Sequence, residues 1–407
     1  MLISLAWKNI WRNKIRSGIV MTSISIGLFG GLFICGLSRG IIEQRIQSAI
    51  ENEVSNIQIH HPRFLLEKDL EDTIPGAYSI INTLRNEPEI KAVSSRIKIT
   101  GMAQTAAKAT GINIMGIDPE AEKKVTGLYT FMMDSMGTFF GSERKNAIVI
   151  GKKLAELLKV KLNSKIILTI QTDSGEITQA AFKITGIFKT YNSAFDQSTV
   201  IVRQKDLSEA IGFKSFRSHE IAIALYHDSC SRTIINKTTS RFSGLSILPW
   251  RKILPELGLM ADSTNIILYI IMVIILIALC FGIINTMMMA VLERTRELGM
   301  LMAIGMSRYR VFRMIVLETI FLSVTGAFIG LIVSAGIINY YDHVGFDLSL
   351  FASGLGKIGF NAIVHPQLDL AFYAGITVLV VILGILSSLI PAWKALKLNP
   401  VEAIRIV

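Results

Sequence analysis

The alternation of apolar and polar positions divides the chain into four long apolar runs and one long stretch of mixed character. The runs cover residues 17–38, 265–292, 314–341 and 370–393. An apolar layer about 30 Å thick takes about 20 helical residues at 1.5 Å rise each, so every run is long enough to cross it. Three carry no charged side chain, and the third holds Glu318 one turn beyond Arg313, where a carboxylate can still reach the interface. Between the first and second runs the period changes. Residues 56–60 and 96–99 alternate as strands do, and 78–85 follow a helical period. The same strand, helix, strand theme recurs at 147–150, 152–158 and 166–170, and again at 219–225, 231–240 and 245–248, with further strands at 182–188 and 199–203. The pattern predicts an α-helical membrane protein with four transmembrane helices and a large extracytoplasmic α+β domain between helices one and two. That domain has a mixed sheet and two lobes, the second inserted into the first.

Composition and charge orient this arrangement. The chain has 407 residues, 51% of them hydrophobic, and a formal charge of +11, with a mean hydropathy of +0.49. Its basic residues flank the apolar runs: Lys8, Arg12, Lys14 and Arg16 before the first, Arg294, Arg296, Arg308, Arg310 and Arg313 between the second and third, and Lys394, Lys397 and Arg405 after the fourth. Cytoplasmic loops concentrate Lys and Arg, so these clusters place both termini in the cytoplasm and exclude nucleic acid as the partner. The resulting plan is a cytoplasmic amphipathic helix (1–16), the first span (17–39), the extracytoplasmic domain (40–264), the second span (265–292), a cytoplasmic connecting helix (293–313), the third span (314–341), a short outer loop (342–369), the fourth span (370–393) and a cytoplasmic tail (394–407). The first run exceeds a signal peptide's apolar core and lacks a small-residue cleavage site before Arg39, which predicts a retained anchor. Ile34 before Cys35 is too large for lipoprotein processing, and Cys230 is alone in the polar segment, so no disulfide framework is expected.

No catalytic constellation emerges. Hydrolysis of ATP needs a GxxxxGK[ST] loop whose amides and lysine cradle phosphates. Gly151-Lys152-Lys153 lacks the earlier glycine and the hydroxyl, and reads as a strand-to-helix turn. His60 and His61 are adjacent and would point to opposite faces of a strand, so they are expected to be solvent or loop histidines and not metal ligands. Glu51, Glu53, Asp69, Glu71 and Asp72 read as a solvated surface. The chain is expected to be no enzyme and to hold no cofactor or metal.

The segment from Glu293 to Ser307 is the most informative. Glu293, Arg294, Arg296 and Glu297 form a charged first turn; Leu298, Leu301, Met302 and Ile304 follow as an apolar ridge around Gly299, and Gly305 closes the helix. Such a ridge suits a partner's groove. Together with Ala6-Trp7-Lys8-Asn9-Ile10-Trp11-Arg12-Asn13-Lys14-Ile15-Arg16-Ser17, Leu389-Ile390-Pro391-Ala392-Trp393-Lys394-Ala395 and Asn399-Pro400-Val401-Glu402-Ala403-Ile404-Arg405, this segment resembles the FtsX-like permease family, which includes the MacB-type and lipoprotein-releasing ABC transporters.

That resemblance implies a bacterial inner-membrane permease. Its Glu293–Gly305 segment would be a coupling helix on a separate cytoplasmic ATPase, present in two copies and binding ATP and Mg, and its residues 7–16 would lie on the inner leaflet. It implies a second permease, identical or homologous, and transmission of nucleotide-driven closure to the outer domain. Gly27 with Gly31 and Gly326 with Gly330 match GxxxG, as candidates either for packing that dimer or for packing within one chain. Asn285, Met287, Met288 and Met289 are candidates for lining acyl chains, beside the plainer reading of the methionines as ordinary lipid-facing or core residues. The stretches Ile57-Gln58-Ile59-His60-His61-Pro62, Ile184-Thr185-Gly186-Ile187-Phe188 and Phe195-Asp196 look most like the lipoprotein-releasing branch. That implies lipoprotein or another amphiphile as cargo and a periplasmic carrier to receive it. A MacB-type efflux permease with an adaptor and an FtsX-type regulator of cell-wall hydrolases are the alternatives.

Overall fold

The computed structural model describes residues 2–140, 145–357 and 359–397, so the expected tail motif Asn399–Arg405 lies outside the described residues. Two compact units emerge: one drawn from Met1–Ile41, Ser263–Asp347 and Ile363–Val407, the other from Ile42–Asp262 and Leu348–Ala362.

The first unit is helical. Helix Leu2–Arg12 breaks at Asn13, and the helices Lys14–Ala49, Pro255–Glu293, Arg308–Val344 and Leu370–Leu396 follow, with the short helix Thr295–Ala303 between the second and third. All four long helices have the length and composition to cross a membrane. They outrun the apolar runs that mark them, because hydropathy ends where water begins whereas i→i−4 hydrogen bonding continues. Leu28, Leu32, Met272, Leu276, Ile376 and Val380 are buried among the four helices. The four candidate dimer glycines close contacts within the chain. Gly27 and Gly31 face Leu279 and Met272 of the second span; a Cβ on Gly326 would lie 3.0 Å from the Met21 carbonyl oxygen, and one on Gly330 3.0 Å from Ser25 Cα of the first span. Bare backbone at Gly326 lets the Ser25 hydroxyl donate to its carbonyl at 2.7 Å.

The second unit is built on one ten-stranded sheet. Its strands are β1 (Ile57–His60), β2 (Ile90–Gln104), β3 (Ala109–Ile117), β4 (Met132–Gly137), β5 (Ala147–Gly151), β6 (Lys165–Gln171), β7 (Ile177–Phe188), β8 (Thr199–Arg203), β9 (Glu220–Leu225) and β10 (Ser246–Pro249). Their order is β10-β1-β9-β2-β3-β8-β5-β7-β4, with β6 joining β2 and β7. The β3–β8 and β5–β7 pairs are parallel and the others antiparallel, which makes the sheet mixed. Two apolar cores lie along it, one around Ile59, Ile81 and Ile223, the other around Ile114, Ile148, Phe182 and Val200. The lobes therefore share a sheet, and the 15-residue β2 runs through both. Residues 348–362, expected to be a plain outer loop, belong to this unit, where helix Ala352–Lys357 packs on helix Ser193–Ser198.

Burial corrects three readings of polar residues. His60 is fully buried on β1, with Nδ1 3.1 Å from the His219 carbonyl and Nε2 2.8 Å from Gln58 Oε1, and burial pushes it down to about 4. Asp72 is buried against His61 and Arg63, each at 3.0 Å, and Glu53 pairs with Arg45 at 2.9 Å; Glu51, Asp69 and Glu71 are exposed. Gly151 does end a strand and start a helix, and any Cβ there would strike the Asp196 backbone, so close approach rather than phosphate binding accounts for the glycine.

Arg96 is the largest fully buried side chain. Its Nη1 donates to Glu220 Oε1 at 2.6 Å, and its Nη2 and Nε donate to Glu122 at 2.6 and 3.2 Å. Lys98 Nζ lies 2.5 Å from Glu220 Oε2. Burial would raise Glu220, but Lys98 and Arg96 outweigh it and hold the carboxyl at about 2. A carboxyl held below its ordinary value adds stability that is complete above about pH 4.5 and fades as pH falls towards 2. Removing one partner of such a cluster strands the other charges. Arg96→Met should therefore destabilise the domain by about 3–5 kcal/mol. Thermal unfolding of the whole chain in lipid nanodiscs measures this, and an unchanged midpoint would rule it out.

Candidate functional site

The segment joining the second and third spans carries a network of ion pairs. The second-span helix ends at Glu293, so Glu293 belongs to it and not to the connecting helix; Arg294 (φ −102°, ψ 13°) interrupts the helical path, and helix Thr295–Ala303 follows. Arg294 Nη1 donates to both oxygens of Glu318 at 3.0 and 3.1 Å, and Nε donates to Glu297 at 3.2 Å. Glu318 is thus taken up by Arg294 from the connecting segment. From the first helices, Arg12 pairs with Glu297 and Arg16 with Glu293. The Arg12 hydrogen bond holds the Glu297 carboxyl below its ordinary range. Three guanidinium groups and three carboxylates line a polar cavity of about 260 Å³ there.

The network decides which side of helix Thr295–Ala303 turns inward. Leu298 is 1% exposed and Gly299 is buried, while Leu301 and Met302 pack beside Leu298 on Val311, Met314 and Ile315. The outward positions are Arg296, Met300 and Ile304, spaced four apart, with Met300 45% and Ile304 85% exposed. The apolar ridge expected at Leu298, Leu301 and Met302 is therefore the face that docks on the chain itself. Ile304 remains available, and Met300 joins it. Gly305 adopts φ +101° just past the helix, a C-terminal stop that glycine accepts freely.

The candidate acyl-lining residues diverge. Met287 is buried beside the ionic cavity, Met288 lies in a groove with Ile390, Trp393 and Lys394, and Met289 and Asn285 are exposed. Successive helix positions turn by about 100°, so four near-consecutive residues cannot share one lining. At the other end of the network, Trp7 packs edge-on to Phe321 of the third span at 5.7 Å. The ionic partnership of Arg12 and Arg16 with Glu297 and Glu293 was not legible in the sequence, since nothing in it sets which basic residue of a cluster meets which acid.

Comparison with known proteins matches residues 17–229 to the MacB-like periplasmic core domain and residues 269–400 to the FtsX-like permease C-terminal domain. The lipoprotein-releasing system transmembrane protein LolC of Buchnera aphidicola is 27% identical over 97% of this chain and 95% of its own length. The corresponding LolE of Haemophilus influenzae is 21% identical over 94% and 93%. The macrolide export ATP-binding/permease protein MacB of Bdellovibrio bacteriovorus is 24% identical over 97% of this chain and 60% of its own length.

The two faces of helix Thr295–Ala303 should separate on mutation. Leu298→Ala is expected to lower stability by about 2–5 kcal/mol by opening a buried site, whereas Met300→Asp should stay within about 0.5 kcal/mol as an exposed substitution. Denaturant unfolding of the two variants decides, and equal effects would overturn the assignment of faces.

Proposed function

This chain belongs to the FtsX-like permease family with a MacB-like periplasmic core, and we propose on that premise that helix Thr295–Ala303 is its coupling helix, carrying the movement of a separate cytoplasmic ATPase to the periplasmic domain. It is an ABC transporter permease of the Lol/MacB type. The observation that carries the coupling role is the outward row Arg296, Met300 and Ile304 on a helix pinned from behind by Arg294–Glu318. A cation beside two apolar side chains suits a groove on a partner, and the ion pairs behind it resist rotation under load. ATP and Mg are taken to be held by that partner, a reading supported by the lack of a GxxxxGK[ST] loop in these 407 residues. The basic clusters at both ends and around this helix support a cytoplasmic position for it and for both termini. Two permeases with two ATPases complete the working assembly.

For cargo, we take release of lipoproteins from the inner membrane as the leading reading, supported by likeness along nearly the whole chain to LolC and LolE. Export through an adaptor is the second reading, favoured by the match of the outer domain to the MacB-like core.

Two measurements test this. Purification from native membranes in mild detergent, followed by mass spectrometry, should recover an ATPase with acylated lipoproteins. An ATPase with an adaptor and no lipoprotein would favour export, and absence of any ATPase would sink the coupling role. Second, Met300→Asp combined with Ile304→Asp should weaken ATPase association at least tenfold, about 1.4 kcal/mol. Glu297→Lys, which sets a cation against Arg12 and Arg294, should leave hydrolysis running without transport.

A further inference from the structure

The domain of residues 42–262 holds a cavity of about 410 Å³ on one face of its sheet, within the roughly 300–1,000 Å³ typical of ligand pockets. Its floor is polar: His60 of β1 lies opposite Glu220 of β9, and Lys98 follows on β2. Val54, Phe64, Phe195 and Ile253 give it an apolar side, and Gln58, Asn113 and Asn192 add amides to the lining. Phe64 is fixed there, stacked between the rings of His60 at 5.5 Å and His219 at 5.0 Å.

Lys98 is the informative group. Its side chain is 33% exposed, and among the described residues its ammonium meets Glu220 Oε2 alone. An ammonium has three donors, so two N–H groups remain for an oxygen arriving in the cavity. A ligand with one oxygen-bearing end and a long apolar body fits both surfaces.

We propose that this cavity binds a single acyl chain, its alkyl body under Phe64 and Phe195 and its head oxygen accepting from Lys98 Nζ. The head is the carboxylate of a free fatty acid or the ester carbonyl of a lipid-borne chain. This goes beyond the coupling role and does not rest on it, because binding is read without ATPase or cargo.

The test uses the whole chain in phosphatidylcholine nanodiscs with two photoreactive probes: hexadecanoic acid bearing a diazirine, and phosphatidylcholine carrying the same chain. After illumination and digestion, peptides containing Phe64 and Phe195 should be labelled by at least one probe. Labelling by the acid alone identifies a carboxylate head and by the phospholipid an ester-linked chain, and either supports the site. Lys98→Met should reduce that labelling at least tenfold without altering labels on the spans. Thr100→Trp should do the same, filling the mouth from an exposed strand position where aromatic residues are well tolerated. It keeps the test decisive if Lys98→Met disturbs the fold. Labels confined to the spans, or domain labels unchanged in Thr100→Trp, would overturn the proposal.

Discussion

The ion pair in which Arg294 Nη1 donates to both oxygens of Glu318 fixes where the second span stops and how the helix beyond it is presented. Glu318 is 9% exposed and Arg294 16% by side chain, whereas the Arg12–Glu297 pair is about half exposed on both partners. Exposed pairs contribute about 0–1 kcal/mol, but losing one member of a buried pair costs about 3–5 kcal/mol. The inner pair therefore sets the geometry and the outer ones trim it. With Arg294 held by the third span, Leu298 falls into the pocket of Val311, Met314 and Ile315, and Met300 and Ile304 are left facing out.

A second buried cluster does the equivalent work in the sheet. Arg96, Glu122, Glu220 and Lys98 balance two positive charges against two negative ones. The sheet is covered on both faces here, so alternation along β2 no longer separates core from solvent. The cluster ties β2, β9 and helix Pro119–Val125 together at the point where the two apolar cores meet along one strand.

Much of this was legible in the sequence because hydrophobic length and charge placement are strong signals. The four spans, the helix Lys152–Leu158 and the strand Thr199–Arg203 lie where their periods put them. What the sequence hid was direction. Leu298 and Met300 are equally apolar, and only the ion pairs on Arg294 tell which one faces the chain. Arg96 falls in an alternating stretch and Asp72 reads as surface, because a pattern of single residues cannot show that a second layer covers them. Strand β3 was missed since Gly111, Asn113 and Gly116 dilute its alternation.

The segments by which the chain enters and leaves its large domain supply part of the cavity's lining. Helix Lys14–Ala49 passes without a break into a π-helical turn, Ile50–Val54, and Val54 is a cavity wall. Ser55, at φ +73°, then turns the chain into β1 and anchors the corner with its hydroxyl on the Ile223 carbonyl at 2.7 Å. Ile253, a second wall, lies two residues before the helix of the second span begins. Phe195 sits on helix Ser193–Ser198, which is braced by Ala352–Lys357 from the loop between the third and fourth spans. A π-turn is an uncommon device often found at functional positions, and here its last residue, Val54, lines the cavity. Val54, Phe195 and Ile253 thus bring three segments far apart in the sequence to one cavity, so its lining is assembled only by the fold of this domain.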